Sequence, residues 1–420
     1  MKEIRIGLFG FTEASHRTRT ILSTGASIVA VCDAREEKLE KAKDELGRGL
    51  ATYRDFDEML AHPGLDAVYL CNYFHCHVPY AIRALERGIH ILSECASNAT
   101  MAEGVALVRA AEKSNAIYML AENFQYMCFN LELRRLAESG TLGRIVYAEG
   151  EYNHPSNISG EAVLSVRPHE KHWRNFLPRS YYITHSIGPL MYMTGANPTR
   201  VTALPVFSPE EPDMLMGYSV GDRAAIITCL NDDDSVFRVT GCSAFGGHEH
   251  SYRLCGTRGQ AENLRDNSGR VLLRYNDWQV PKGKSTAEIY LPEWNDRDEA
   301  LIKMAGHGGG DYLMFREFFN CIREGRRPFF DVYRATVMSS VAILSHRSLL
   351  ERGVPYDIPD FHRTEDLERY ENDTLSPFWG EDGSAPTLPC CSCPDFVPDP
   401  AVVEAYHAVL RKQGADGVKK

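Results

Sequence analysis

Short, nearly unbroken apolar runs open the chain at regular intervals: Ile4–Phe9, 27–32, 67–71, 89–93 and 117–121. Between them lie stretches with the spacing of amphipathic helices, among them 79–87 and 101–114. Strands buried on both faces read as continuous hydrophobic runs, and their alternation with helices predicts a doubly wound parallel sheet over the first ~120 residues.

From Glu122-Asn123 the pattern changes. Residues 145–152 and 224–230 alternate or cluster as strands of an antiparallel sheet do, and helical spacing returns at 311–324 and 333–352. Beyond Phe361 the chain is rich in Pro, Asp, Ser and Cys, which predicts an extended arm ending in a helix near 402–412. Three domains are expected: 1–122 for nucleotide binding, 123–361 for substrate, and 362–420 as the arm.

Candidate chemistry falls on the loops after the strands. The first strand runs into Gly10-Phe11-Thr12-Glu13-Ala14-Ser15, where a G-x-G-x-x-G loop would hold a pyrophosphate; only the first glycine is present. Asp33 ends the second strand, 23 residues after Gly10. A carboxylate there accepts from ribose hydroxyls and repels a 2′-phosphate, so NAD is expected ahead of NADP. Asn72 to Pro79 and Glu94-Cys95-Ala96 follow two further strands, on the side where such sheets bind ligands. Later, Tyr182 and His185 stand three residues apart just before Gly188-Pro189. Proline fits the first turn of a helix and not its interior, so a helix is expected to start near Pro189 with His185 ahead of it.

Composition narrows the class. A net charge of −11 without a basic run argues against a nucleic-acid surface. Hydrophobic residues at 44 % and charged residues at 25 % are ordinary for a soluble globular protein of 420 residues. The chain starts Met1-Lys2-Glu3 and enters a strand with no signal-like or membrane-length apolar run, so a cytoplasmic protein is expected. Most of the 12 cysteines lie in apolar strands, as buried thiols of a reducing compartment do. The one cluster, Cys390-Cys391-Ser392-Cys393, lacks a second half, and no metal site is expected.

The order of these pieces resembles the Gfo/Idh/MocA oxidoreductase family, which pairs a Rossmann domain with a domain built on a largely antiparallel sheet. Asp33, the loop ending at His77, and Glu94 fall where that family has them. Most of its dehydrogenases carry Glu-Lys-Pro where this chain has Glu94-Cys95-Ala96. The chain is similar to the branch that also lacks this Lys, the NAD-dependent glycoside hydrolases of family 109, of the alpha-N-acetylgalactosaminidase type. The likeness runs through Cys76-His77-Val78-Pro79, Glu122-Asn123 with Tyr126, Tyr152-Asn153-His154, Trp173-Arg174 and Tyr182 to Pro189. It continues through Gly256-Thr257-Arg258-Gly259, His307 to Tyr312, Asp331-Val332-Tyr333 and Asp357 to Phe361.

The resemblance implies an α/β fold, a Rossmann sheet followed by an α+β domain with an open, largely antiparallel sheet. It implies NAD that is not consumed: the sugar is oxidised at C3, deprotonated at C2, loses its C1 substituent by elimination, takes up water and is reduced again. It implies proton transfer by Tyr182 and His185, with Tyr126 as a further candidate. Tyr152, His154, Arg174, Tyr182, His185 and His248 are the implied sugar contacts. Gly10, Phe11, Thr12, Asp33, Asn72, His77, Glu94 and Asn123 are the cofactor positions. Expected partners are a small glycoside and further copies of the chain, with no membrane and no nucleic acid. Two other functions fit the same residues: an NAD-dependent sugar or polyol dehydrogenase, which the missing Lys disfavours, and a non-catalytic NAD-binding sensor, which Tyr182 and His185 disfavour.

Overall fold

Ile4, Ile6, Leu8, Val31, Val68, Leu70, Ile91 and Leu92 lose all solvent contact, as both faces of their sheet are covered. In this computed structural model, residues 3–155, 171–209 and 220–412 are described. Contacts divide the chain into two compact units: residues 1–135, 290–339 and 359–373 form one, and 136–289, 340–358 and 374–420 the other.

The first unit holds a six-stranded sheet of β1 (Ile4–Phe9), β2 (Ala26–Cys32), β3 (Ala51–Tyr53), β4 (Ala67–Leu70), β5 (His90–Ser93) and β6 (Tyr118–Leu120). Its order is β3-β2-β1-β4-β5-β6, with every neighbouring pair parallel. This is the doubly wound α/β arrangement that the alternation predicts. The edge strand β3 escapes the pattern because three half-buried residues carry no apolar run. The Met101–Lys113 helix opens on a capping box in which Thr100 and Glu103 satisfy each other's backbone amides.

The second unit is built on a nine-stranded sheet: β7 (Ile145–Asn153), β8 (Pro198–Phe207), β9 (Asp222–Asn231), β10 (Val236–Thr240), β11 (Glu249–Gly256), β12 (Gly259–Asn263), β13 (Val271–Tyr275), β14 (Ala287–Tyr290) and β15 (Tyr356–Asp357). The order is β14-β13-β12-β11-β7-β10-β9-β8-β15. β7 and β10 run parallel, and the pairs flanking them are antiparallel. On β7 the residues alternate: Ala148 and Gly150 are buried, while Glu149 and Glu151 meet Arg238, Arg253 and Arg265 in a ladder of ion pairs. Such half-exposed pairs add little stability each and keep this face polar.

The helix expected to begin at Pro189 begins at Thr184 instead and runs to Thr194, with Pro189 inside it. Tertiary contact outweighs the local penalty here. Ile187, Leu190 and Met191 are fully buried, and Gly150 of β7 lets the helix come close: a Cβ at Gly150 would stand 2.1 Å from the Ser186 carbonyl oxygen. The hydrogen bond that proline removes would have ended on the carbonyl of His185, and that oxygen accepts instead from the Tyr252 hydroxyl at 2.5 Å. His185 therefore lies in the first turn of the helix.

Residues 374–412 pack along the second unit. Phe378 packs its ring edge-on against Tyr181 at 5.2 Å, Phe396 meets Phe207 at 5.7 Å, and the Tyr406 hydroxyl accepts from Asn175 at 2.9 Å. Ser392 binds the Asp222 carboxylate through its N–H and its hydroxyl. His346, driven down to about 4 by burial, is neutral and faces the Pro389 carbonyl at 2.8 Å. Phe378, Cys391, Val402 and Tyr406 are thus buried in that unit, and this stretch contains the Pro400–Lys412 helix. Among the described residues no helix is long and apolar enough to cross a membrane.

Candidate active site

In the first unit the candidate cofactor residues collect at the carboxyl ends of the parallel strands. Gly10 has φ +90°, and a Cβ there would lie 2.6 Å from the Cys71 carbonyl oxygen, so only glycine lets the loops after β1 and β4 approach this closely. Asp33 is buried at the end of β2 and accepts from the Phe11 N–H at 2.9 Å and the Arg35 N–H at 3.0 Å. The Arg35 guanidinium lies 3.2 Å from the same carboxylate and donates to Thr12 Oγ1 at 2.6 Å. Asp33 thus ties the phosphate loop to its own strand end.

His77 is fully enclosed, with Nδ1 3.1 Å from the Ala96 carbonyl and Nε2 3.1 Å from that of Asn72. Burial lowers its pKa; the neutral ring has one N–H, which from Nε2 donates to the Asn72 carbonyl while Nδ1 accepts from the Ser93 hydroxyl at 3.2 Å, linking the loop after β4 to the end of β5. Two buried oxygens, Asn72 Oδ1 and Asn123 Oδ1, have no hydrogen-bond donor among the described residues. Acceptors left open in this way suit the amide and hydroxyl donors of a dinucleotide. With the tight Gly10 turn and the acidic end of β2, the residues fit NAD.

Glu94 belongs to a partly buried charge network that sequence alone does not show. Arg17 lies 3.5 Å from Glu94 and 3.8 Å from Asp311. Asp311 accepts from Asn123 Nδ2 at 2.7 Å and sits 3.0 Å from His307 Nδ1, while Glu94 accepts from the Tyr69 hydroxyl. Burial opposes the charge on Arg17, and Tyr69, Glu94 and Asp311 outweigh it, raising its pKa. Burial also opposes the Asp311 charge, but His307 and Arg17 bring its pKa below the ordinary value, and the hydrogen bond to Asp311 raises that of His307. Where most dehydrogenases of the Gfo/Idh/MocA family carry a Lys next to this Glu, the chain has Cys95, and Glu94 meets the guanidinium of Arg17. Tyr126 is buried in the turn after Asn123, its N–H bonded to the Asn123 carbonyl at 3.1 Å.

In the second unit the candidate sugar contacts form one aromatic cluster. The Tyr152 ring stacks on His154 at 5.4 Å and meets His185 edge-on at 5.2 Å and Tyr182 edge-on at 5.9 Å. Tyr182 and His185 are 5.5 Å apart between ring centres, and His154 faces His248 with 3.1 Å between their Nδ1 atoms. The cluster is held from behind: the Cys242 N–H donates to the Tyr182 carbonyl and the Ser243 N–H to that of Tyr152, each at 3.0 Å. Burial, with Tyr182 next in effect, raises the Tyr152 phenol far above its usual pKa, so it stays protonated and can donate. Arg174 lies on a short 3-10 turn with its guanidinium 4.4 Å from the Trp173 ring, near enough to Tyr152 for its charge to oppose the rise of that phenol's pKa.

Sequence reasoning missed Arg17, Tyr69 and Tyr252. An Arg in a phosphate loop and a Tyr inside an apolar strand carry no local signal. His307 and Asp311 lie in the quoted run His307 to Tyr312, but their pairing depends on the turn between them.

A unit built on a doubly wound sheet with these loops and a unit built on a mixed open sheet define an NAD-dependent enzyme of the oxidoreductase fold. Residues 4–122 match the oxidoreductase family's NAD-binding Rossmann fold, and 205–367 match the C-terminal domain of glycosyl hydrolase 109. The two matched segments make the chain similar to the Gfo/Idh/MocA family in its first part and to glycosyl hydrolase 109 proteins in its second. It is 26 % identical over 393 residues to a glycosyl hydrolase family 109 protein of Streptomyces filamentosus, covering 86 % of this chain and 78 % of that one. It is 25 % identical over 371 residues to an alpha-N-acetylgalactosaminidase of Bacteroides fragilis, covering 81 % of this chain and 87 % of that one. Levoglucosan dehydrogenase in complex with NADH and levoglucosan shares the fold, with TM-score 0.70, 17 % identity, and coverage of 85 % and 100 %. An aldose-aldose oxidoreductase from Caulobacter crescentus does so with TM-score 0.66, 17 % identity and the same coverage.

The Asp33 contacts lead to a cofactor prediction. NAD⁺ is expected to bind at least about tenfold more tightly than NADP⁺, because a 2′-phosphate would meet the Asp33 carboxylate. Asp33→Ala removes that charge and releases Arg35, a residue type that accommodates the phosphate, so the preference should vanish or invert. Titration of protein fluorescence with each cofactor checks this, and equal dissociation constants in the unmodified protein would refute it.

Proposed function

We propose that this protein is an NAD-dependent glycosidase acting on a small glycoside by transient oxidation at C3, elimination across C1–C2, addition of water and re-reduction. The observation that carries this reading is the packing of Tyr152, Tyr182 and His185 into one cluster of phenols and an imidazole. Most glycosidases place two carboxylates about the scissile bond. A phenol–imidazole cluster instead suits a route in which a base removes the proton that a neighbouring ketone has made acidic.

NAD, held by the first unit, would supply reversible hydride transfer at C3. Tyr182 and His185 are assigned to the reacting carbons, removing the C2 proton and protonating the departing C1 oxygen. Tyr126 is a further proton-transfer group. Tyr152 donates a hydrogen bond to the sugar, since burial keeps its phenol protonated. His154, Arg174 and His248 complete the sugar contacts. Gly10, Phe11, Thr12, Asp33, Asn72 and Asn123 would hold the dinucleotide, Glu94 is assigned to its nicotinamide side, and His77 links the loop after β4 to the end of β5.

The test is incubation with a panel of nitrophenyl glycosides, with and without NAD⁺, following nitrophenol release and NADH absorbance together. The expected result is release that requires NAD⁺ and leaves no NADH behind. Stoichiometric NADH build-up would make the protein a sugar dehydrogenase. Neither signal with any glycoside would remove the catalytic reading.

A further inference from the structure

A helix built around a proline has one carbonyl with no amide to answer it. In the Thr184–Thr194 helix the proline is Pro189, and the residue four positions before it is His185. The donor that fills the gap comes from another element. Tyr252 is 2 % exposed, and its hydroxyl donates to the His185 carbonyl oxygen at 2.5 Å.

The surroundings of Tyr252 keep that hydroxyl in place. Its N–H donates to Asn263 Oδ1 at 2.7 Å, and it lies opposite Gly150 in the β7–β11 register. Gly150 is the residue whose missing side chain admits the Ser186 carbonyl. One cross-strand pair therefore receives two consecutive peptide groups of the helix's first turn: the phenol binds the carbonyl of 185, and the glycine makes room for that of 186. Two residues further along β7, Tyr152 sets its ring edge-on against the imidazole of His185.

We infer that Tyr252 is a positioning residue for His185: its phenol replaces the helix hydrogen bond that Pro189 removes, and so sets where the imidazole stands. The part of this inference concerning turnover rests on the glycosidase reading above; the hydrogen-bond replacement does not. Small errors in placing a proton-transfer group cost rate steeply, up to about 10²-fold for displacement by roughly an ångström.

A double-mutant cycle tests it. Tyr252→Phe keeps the ring and deletes the donor; it is expected to lower kcat about tenfold with KM and NAD⁺ affinity nearly unchanged, and to lower Tm. Pro189→Ala restores an amide N–H that can bond to the His185 carbonyl. Added to Tyr252→Phe, it should recover most of the lost kcat and Tm, while in the unmodified background it should change kcat less than about twofold. The ¹³Cε1 resonance of His185 should shift in Tyr252→Phe and return in the double variant. Additive effects on Tm would overturn the replacement of the helix bond. Coupling in Tm without recovery of kcat, or without return of the resonance, would make the bond structural and overturn the positioning role. If no glycoside is cleaved at all, the glycosidase reading fails, while Tm and the resonance still decide on Tyr252.

Discussion

His185→Ala and Tyr182→Phe should each slow glycoside cleavage by about 10² to 10⁴-fold, the usual worth of a general acid or base. NAD⁺ affinity should stay nearly the same, because the candidate dinucleotide contacts all lie in the first unit, whereas Tyr182 and His185 belong to the second. The separation of effects is what identifies proton transfer. A packing role would lower Tm and cofactor binding along with rate, and losses below about tenfold at both positions would assign Tyr182 and His185 to the core instead. Heavy water sharpens the test. If C2 is deprotonated in each turnover, the sugar released in deuterium oxide must carry deuterium at C2. Hydrolysis without deuterium at C2 and without a requirement for NAD⁺ would mean direct displacement, a different mechanism on the same fold.

Arg17→Met should destabilise the first unit by about 1 to 3 kcal/mol at neutral pH, less than for a fully buried pair because Glu94 is partly exposed and Asp311 keeps His307 and Asn123. Glu94 and Asp311 would then lose the guanidinium that lies near both, with His307 left beside Asp311. The sign with pH follows from Asp311. Its pKa in the folded protein is depressed, so its contribution is present above the unfolded value and is lost as pH falls through the folded one. Removing Arg17 takes away part of that depression, so the gap in Tm between variant and unmodified protein should be widest near neutral pH and shrink as the carboxylates protonate in acid. Arg17→Lys should recover part of the loss, since it keeps the charge and gives up the planar fork. A gap that is constant with pH would assign the effect to lost packing.

The doubly wound sheet is legible because parallel strands covered on both faces must be apolar throughout, and five of its six strands coincide with runs seen along the chain to within one residue at either end. β3 is not legible, for an edge strand of three half-buried residues needs no apolar run. Tyr152 and His154 are placed on one face by the two-residue period of a strand, and the structure stacks them there. The start of the Thr184–Thr194 helix goes the other way. Local rules set it at Pro189, and they fail because the hydroxyl of Tyr252, 67 residues from His185 in sequence, supplies what proline lacks.

What the sequence determines by itself is therefore whatever depends on neighbours along the chain: the alternation of elements, the acid at the end of β2, the single glycine of the phosphate loop, and the ordered motifs that carry the chain's family resemblance. Only the tertiary structure decides which cation Glu94 meets, which segments His77 links, and how a helix with an internal proline carries His185. Those depend on groups brought together from distant positions: Arg17 with Asp311, Asn72 with Ser93, Tyr252 with His185. Burial gives such contacts their weight, because a charge or a carbonyl removed from water must find its partner within the protein wherever the fold can supply one.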